Sequence, residues 1–123
     1  MKEIIAIIRP KKVGPTKDAL EKLGFPSFMA VRVLGRGHQR GIAAEVACDI
    51  PEALKGEGRS GGMKYIPKRM LSVVVPSADA DAVVQEIIRV NQTAQIGDGK
   101  VFILPVDDAL RLRTDETGDS AIL

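Results

Sequence analysis

Tryptophan is absent from this 123-residue chain, and tyrosine, cysteine and histidine occur once each. With only three phenylalanines besides, a core has to be built from Ile, Val, Leu and Ala. The interleaving of aromatic and basic side chains that stacks single-stranded nucleic acid is missing. Formal net charge is only +2, too small an excess to attract a polyanion, so no nucleic-acid partner is expected. The lone Cys48 excludes an intrachain disulfide framework and a cysteine-rich metal site, and points to a reducing, cytoplasmic location. Long apolar runs are lacking too. The opening MKEIIAIIRPKK is broken by charge and reads neither as a signal peptide nor as a membrane span.

Catalytic groups are equally sparse. No serine lies on the strand-to-helix turn of a nucleophile elbow, since the G-x-S-x-G string around Ser60 falls within a long glycine-rich stretch, and His38 is the only imidazole. Asp49, beside Cys48, disfavours a thiolate. A binding or switching role fits better than catalysis.

What is present is one domain's worth of short, strongly patterned segments. Residues 3–9, EIIAIIR, read as a buried strand closed by Pro10. A helix follows, with Gly14 and Pro15 in its first turn, an apolar stripe of Val13, Ala19, Leu20 and Leu23, and Gly24 as its stop. Residues 28–34 read as a second strand and 70–76 as a third, ended by Pro76. Ser77 or Asp79 is placed to cap a second helix whose apolar face carries Ala82, Val83, Val84, Ile87, Ile88 and Val90. Residues 101–106 are the fourth strand, and a charged, partly ordered tail covers about 107–123.

The order strand, helix, strand, strand, helix, strand predicts an α+β, ferredoxin-like βαββαβ sandwich in one domain, 1–123. Two helices cover one sheet face, so the other requires a cover, for which subunit association is the simplest. The middle strands are joined by a long loop, about 37–67, instead of a hairpin. Residues 35–62 hold seven glycines and a proline, with a short helical turn expected near 51–55. A connection of this length is commonly functional.

Two glycine turns stand out, GRGHQRG at 35–41 and IGDGK at 96–100. Glycine lets backbone N–H groups approach a phosphate, and Lys68, Lys100, Arg111 and Arg113 supply cations. Neither turn is a Walker loop or a GxGxxG fingerprint. On spacing alone, a phosphate cradle and ordinary turns flanked by solvated charges both remain open.

Four stretches taken together are similar to the PII family of nitrogen-regulatory proteins. They are IIAIIRPKK at 4–12, GRGHQRG at 35–41, YIPKR at 65–69 and IGDGKVFILPVDDALRLRT at 96–114. The resemblance implies a trimer that binds ATP or ADP between subunits, and 2-oxoglutarate in the presence of Mg²⁺ and ATP. Carried over by position, Gly35, Arg36 and Gly37 lie at the nucleotide cleft. Gly97, Asp98, Gly99 and Lys100 wrap the phosphates, and Arg111 and Arg113 reach them from the neighbouring chain. Ile7 contacts the base or ribose, and Thr93 lies near the adenine. Gln39 helps to hold Mg²⁺ and 2-oxoglutarate, and Lys68 pairs with the 2-oxoglutarate carboxylate. His38 stands where the family commonly has Arg, which implies a weaker or pH-dependent phosphate contact.

The loop departs from the common branch. It is longer than usual, and its middle reads IAAEVACDIPEALKGEGRSGG. The modified tyrosine of many bacterial members is absent, since Tyr65, the only tyrosine, lies at the loop's return. This resembles the branch associated with nitrogenase genes, and implies a nitrogenase target and either a homotrimer or a mixed oligomer with a sister subunit. The alternatives are an ammonium transporter or glutamine-synthetase control. From other classes, a slow, incidental ATPase or a metal-binding ferredoxin-like module using His38 and Cys48 is weighed against it.

Overall fold

The computed structural model describes residues 1–37 and 65–123. Its regular elements are β1 (Lys2–Ile8), α1 (Val13–Leu23), β2 (Met29–Gly35), β3 (Ile66–Val75), α2 (Ala80–Asn91) and β4 (Lys100–Pro105). They form one antiparallel sheet in the order β2-β3-β1-β4, the ferredoxin-like arrangement expected from the element order.

Alternation along the strands sorts the side chains onto two faces. Ile4, Ala6 and Ile8 of β1 and Leu71, Val73 and Val75 of β3 turn towards the helices, where Leu20, Ala80, Val83 and Ile87 meet them. Each large aliphatic side chain buried there contributes about 1.5–3 kcal/mol. Between the helices the packing has a polar tie. Thr16 Oγ1 donates to Lys12 O (2.7 Å) and accepts from Asn91 Nδ2 (3.0 Å), so a buried threonine on α1 is joined to a buried asparagine at the end of α2.

Helix α1 ends as expected. Gly24 adopts φ 101°, and the N–H groups of Gly24 and Phe25 return to Glu21 O and Leu20 O. A single 3₁₀ turn, Pro10–Lys12, precedes the helix. The apolar stripes are narrower than expected: Leu23, Ala82 and Ile88 are exposed. Asp79 stands at the start of α2 but makes no side-chain capping bond, because the 3₁₀ turn Ser77–Asp79 leads the chain into the helix.

The third strand corrects the expected boundary. It begins at Ile66, not at residue 70, so the loop returns at Tyr65. Pro67 is tolerated inside it because β1 pairs with β3 only as far as Arg69, leaving one side of residues 66–68 without a neighbouring strand. The tail is folded back on itself by a bridge between Leu110 and Thr117 and a 3₁₀ turn, Gly118–Ala121.

The helix-free face carries Met29, Val31 and Val33, Met70 and Val74, Ile5 and Ile7, and Phe102 and Leu104. Met29 is 67% exposed and Val31 and Phe102 are 49% exposed. Ser72 Oγ donates to Glu3 Oε2 (2.6 Å) on the same face. No described helix is long and apolar enough to cross a membrane.

Candidate functional site

All four strands contribute to one end of the helix-free face. There the register sets Gly35 beside Ile66, Val33 beside Lys68, and Ile7 beside Lys100. A cleft of about 370 Å³ opens over all of these but Val33, completed by Arg36, Gly37, Ile96, Gly97, Gly99 and Phe102. Its chemistry is divided. Ile7, Ile66, Ile96 and Phe102 make an apolar wall, while Arg36, Lys68 and Lys100 supply cations beside glycine backbone. Such a division suits a ligand with a flat or apolar body and an anionic end.

The connection between α2 and β4 forms the glycine rim, and it is tightly specified. Gly97 and Gly99 have φ of 101° and 111°, where a side chain is strained, and Ala94 has φ 65°. Arg9, buried at the end of β1, donates from Nη1 to Asp98 Oδ1 (2.6 Å) and from Nη2 to Ile96 O (3.1 Å). Asp98 Oδ2 accepts from Thr93 N (2.7 Å) and Ala94 N (3.0 Å), and the Thr93 hydroxyl donates to Oδ1. Burial alone raises the Asp98 pKa, but the Thr93 bonds and the Arg9 guanidinium outweigh it and hold the carboxyl well below the usual carboxylate range. Lys68 Nζ donates to Gly97 O.

These contacts orient the loop. In a planar trans peptide the C=O and the following N–H point opposite ways. Drawing Ile96 O to Arg9 and Gly97 O to Lys68 therefore turns the N–H groups of Gly97 and Asp98 away from those cations.

Of the residues singled out in the sequence, Ile7, Gly35, Arg36, Gly37, Lys68, Gly97, Gly99 and Lys100 are brought together in this cleft. Asp98 and Thr93 are not on its lining. Their side chains bond each other, and Asp98 faces a second cavity, about 410 Å³, between α2 and β4. That cavity is mainly aliphatic, lined by Ile8, Val84, Ile87 and Ile103 among others, and of the three cations only Lys100 reaches it. Arg111 lies in the tail, bonded to Glu116 Oε1 (2.9 Å), Ser120 O (3.0 Å) and Leu123 O (2.7 Å), and neither it nor Arg113 lines the cleft of this chain. His38, Gln39, Cys48 and the turn expected at 51–55 lie outside the described residues. Sequence reading missed Ile66, Ile96, Phe102 and Arg9. Phe102 was accessible, being two residues from Lys100 on a strand and so on its face.

Arg36 also reaches sideways. Its guanidinium lies 5.5 Å from the centre of the Tyr65 ring. These residues flank the long loop on either side, so the clasp joins the loop's root to the cleft wall.

The likeness extends beyond these contacts. The family described as "Nitrogen regulatory protein P-II" matches residues 1–116. The chain belongs to the P-II family. It is 55% identical over 122 residues to the Methanothermobacter marburgensis "Nitrogen fixation nifHD region GlnB-like protein 2", covering 99% of this chain and 100% of that one. A Methanosarcina barkeri "Nitrogen fixation nifHD1 region GlnB-like protein 2" is 52% identical, with 99% of each chain covered. Among solved structures, Arabidopsis thaliana PII bound to citrate superposes with a TM-score of 0.73 at 28% identity, covering 98% of this chain and 88% of that one. The nitrogen-fixation names carried by these P-II relatives match the branch that the loop sequence suggested. As a P-II protein, the chain is a nitrogen-regulatory signal transducer and not an enzyme. Proteins of this family are generally oligomeric, respond to small effectors and act on target proteins.

Proposed function

We propose that this P-II protein reports carbon, nitrogen and energy status by binding ATP or ADP in the glycine-rimmed cleft, and 2-oxoglutarate in the presence of Mg²⁺ and ATP. The carrying observation is the convergence of Arg36, Lys68 and Lys100 with the Gly97–Gly99 turn beside an apolar wall. The nucleotide base takes the wall of Ile7, Ile96 and Phe102, and the phosphates take the turn amides and Lys100. Arg111 and Arg113 complete the site from a neighbouring subunit of a trimer or mixed oligomer, which would also cover the apolar sheet face. The citrate named in the Arabidopsis structure is a compact polycarboxylate, in keeping with an effector site for anions in this fold.

The residues present fit these ligands. Mg²⁺ bound to nucleotide is held largely by phosphates and water, so it needs no dedicated protein cage. None is found among the described residues. Gln39 is its protein ligand in this reading. Lys68 meets a 2-oxoglutarate carboxylate from the position where it holds Gly97 O.

Signalling follows from where the cations stand. Arg36 lines the cleft and flanks the long loop on one side, and Lys68 lines it from the start of β3, three residues past Tyr65 on the other. A ligand engaging them shifts the loop by as much as it prefers one loop state. With ADP, or with ATP alone, the loop engages its target. Mg²⁺, ATP and 2-oxoglutarate together release it. The nitrogen-fixation names of the relatives favour nitrogenase as that target, approached in the cytoplasm by direct contact.

Calorimetric titration of 2-oxoglutarate, with and without Mg²⁺ and ATP, tests this reading. Binding only in their presence is expected. Equal binding without them, or none in either case, contradicts it.

A further inference from the structure

We infer that Arg9 is the positioning residue of the phosphate-facing turn: its guanidinium spans Ile96 O and the Asp98 carboxylate and so fixes which way the turn's amides point. The inference rests on the nucleotide reading of the cleft, and it assigns Asp98 a different part from direct contact with phosphate.

Three observations carry it. Arg9 is 7% exposed, and a charged side chain is rarely buried unless paired. Its partners lie about ninety positions away in sequence, in the turn that leads into β4, the strand paired with β1. They are also the two groups that decide the turn's shape. Asp98 gathers Thr93 N, Ala94 N and the Thr93 hydroxyl on one carboxylate, which closes the start of the turn where Ala94 has positive φ. Ile96 O is held 3.1 Å from Nη2, which sends the Gly97 N–H the other way. The planar fork of arginine makes both contacts at once, and lysine, a point charge, does not reproduce that geometry. Asp98 consequently faces Arg9 and the second cavity, while Gly97 lines the cleft and Gly99 lies between the two. Arg9 and Asp98 act as one strut behind the site.

The test uses full-length protein, with Arg9→Lys, Arg9→Gln, Asp98→Asn and the Arg9→Gln/Asp98→Asn pair. ATP and ADP affinity is read by calorimetry, and amide hydrogen exchange of residues 93–100 is read without ligand. Losing the strut is expected to weaken nucleotide binding about 10- to 100-fold and to speed exchange in 93–100, with β1 and β3 unchanged. Arg9→Lys is expected to recover part of both losses. The double variant is expected to lose little more than the worse single one, as for residues acting as a unit. Faster exchange throughout the sheet, fully additive losses, or unchanged exchange in 93–100 overturns the strut. Should wild-type protein bind no nucleotide, the exchange measurement alone still decides the strut, and the nucleotide reading fails separately.

Discussion

A Cβ placed on Gly99 would lie 1.8 Å from the carbonyl oxygen of Ile7. The turn between α2 and β4 thus packs directly onto the backbone of β1, at a φ of 111° that side chains avoid. Gly99→Ala is expected to displace the turn, at a cost of about 2–4 kcal/mol, and to abolish nucleotide binding. Thermal unfolding at fixed protein concentration, together with nucleotide calorimetry, checks this. Gly37→Ala is the control for stability: among the described residues nothing lies within 4 Å of its Cβ position, and a change within about 0.5 kcal/mol is expected.

Gly14 offers the opposite case. It sits in the first turn of α1, with open space around the position of an added Cβ. Gly14→Ala should stabilise the protein by about 0.4–1 kcal/mol by restricting the unfolded chain, a small rise in melting temperature with no change in ligand affinity.

Asp98 sets an acid limit on the turn. Its folded pKa lies below the ordinary carboxylate value, so its contribution is fully present above the unfolded value of about 3.9 and is lost as pH falls through the depressed folded value. The melting-temperature difference between wild type and Asp98→Asn is therefore expected to be constant from neutral pH to about pH 5 and to shrink in stronger acid. A difference that changed between pH 6 and 8 would show that another group controls the turn.

Val31 lies on the helix-free sheet face, 49% exposed and outside the cleft. Val31→Glu would place a charge where the proposed subunit contact buries apolar surface, a cost of several kcal/mol per interface. Sedimentation is expected to show smaller species than the wild type, with nucleotide affinity reduced because the neighbouring Arg111 and Arg113 are lost. An unchanged mass would move the subunit contact elsewhere.

Much of this architecture was legible in the sequence, because alternation and helical periodicity report burial directly. Ile4, Ala6 and Ile8 lie inside because a strand alternates, and Gly24 stops α1 because a left-handed residue is needed there. Long-range polar pairing was not legible. Thr16 and Asn91 are polar and stand outside the apolar stripes read from the sequence, yet they bond each other between helices. Arg9 looked like the charged end of a strand, and only the fold brings Asp98 to it. Pro67 resembled loop, since nothing local reveals that β1 stops short of it. In the cleft, the glycines and cations announced themselves, while Ile66 and Ile96 were indistinguishable from any other aliphatic residue.

The central claim is that nucleotide phosphate sits on the glycine turn, and amide hydrogen exchange with and without ATP or ADP tests it most directly. Protection centred on residues 35–37 and 97–100 is the predicted result. Saturating nucleotide that left these amides unprotected, or protected instead the second cavity around Val84, Ile88 and Ile103, would contradict it.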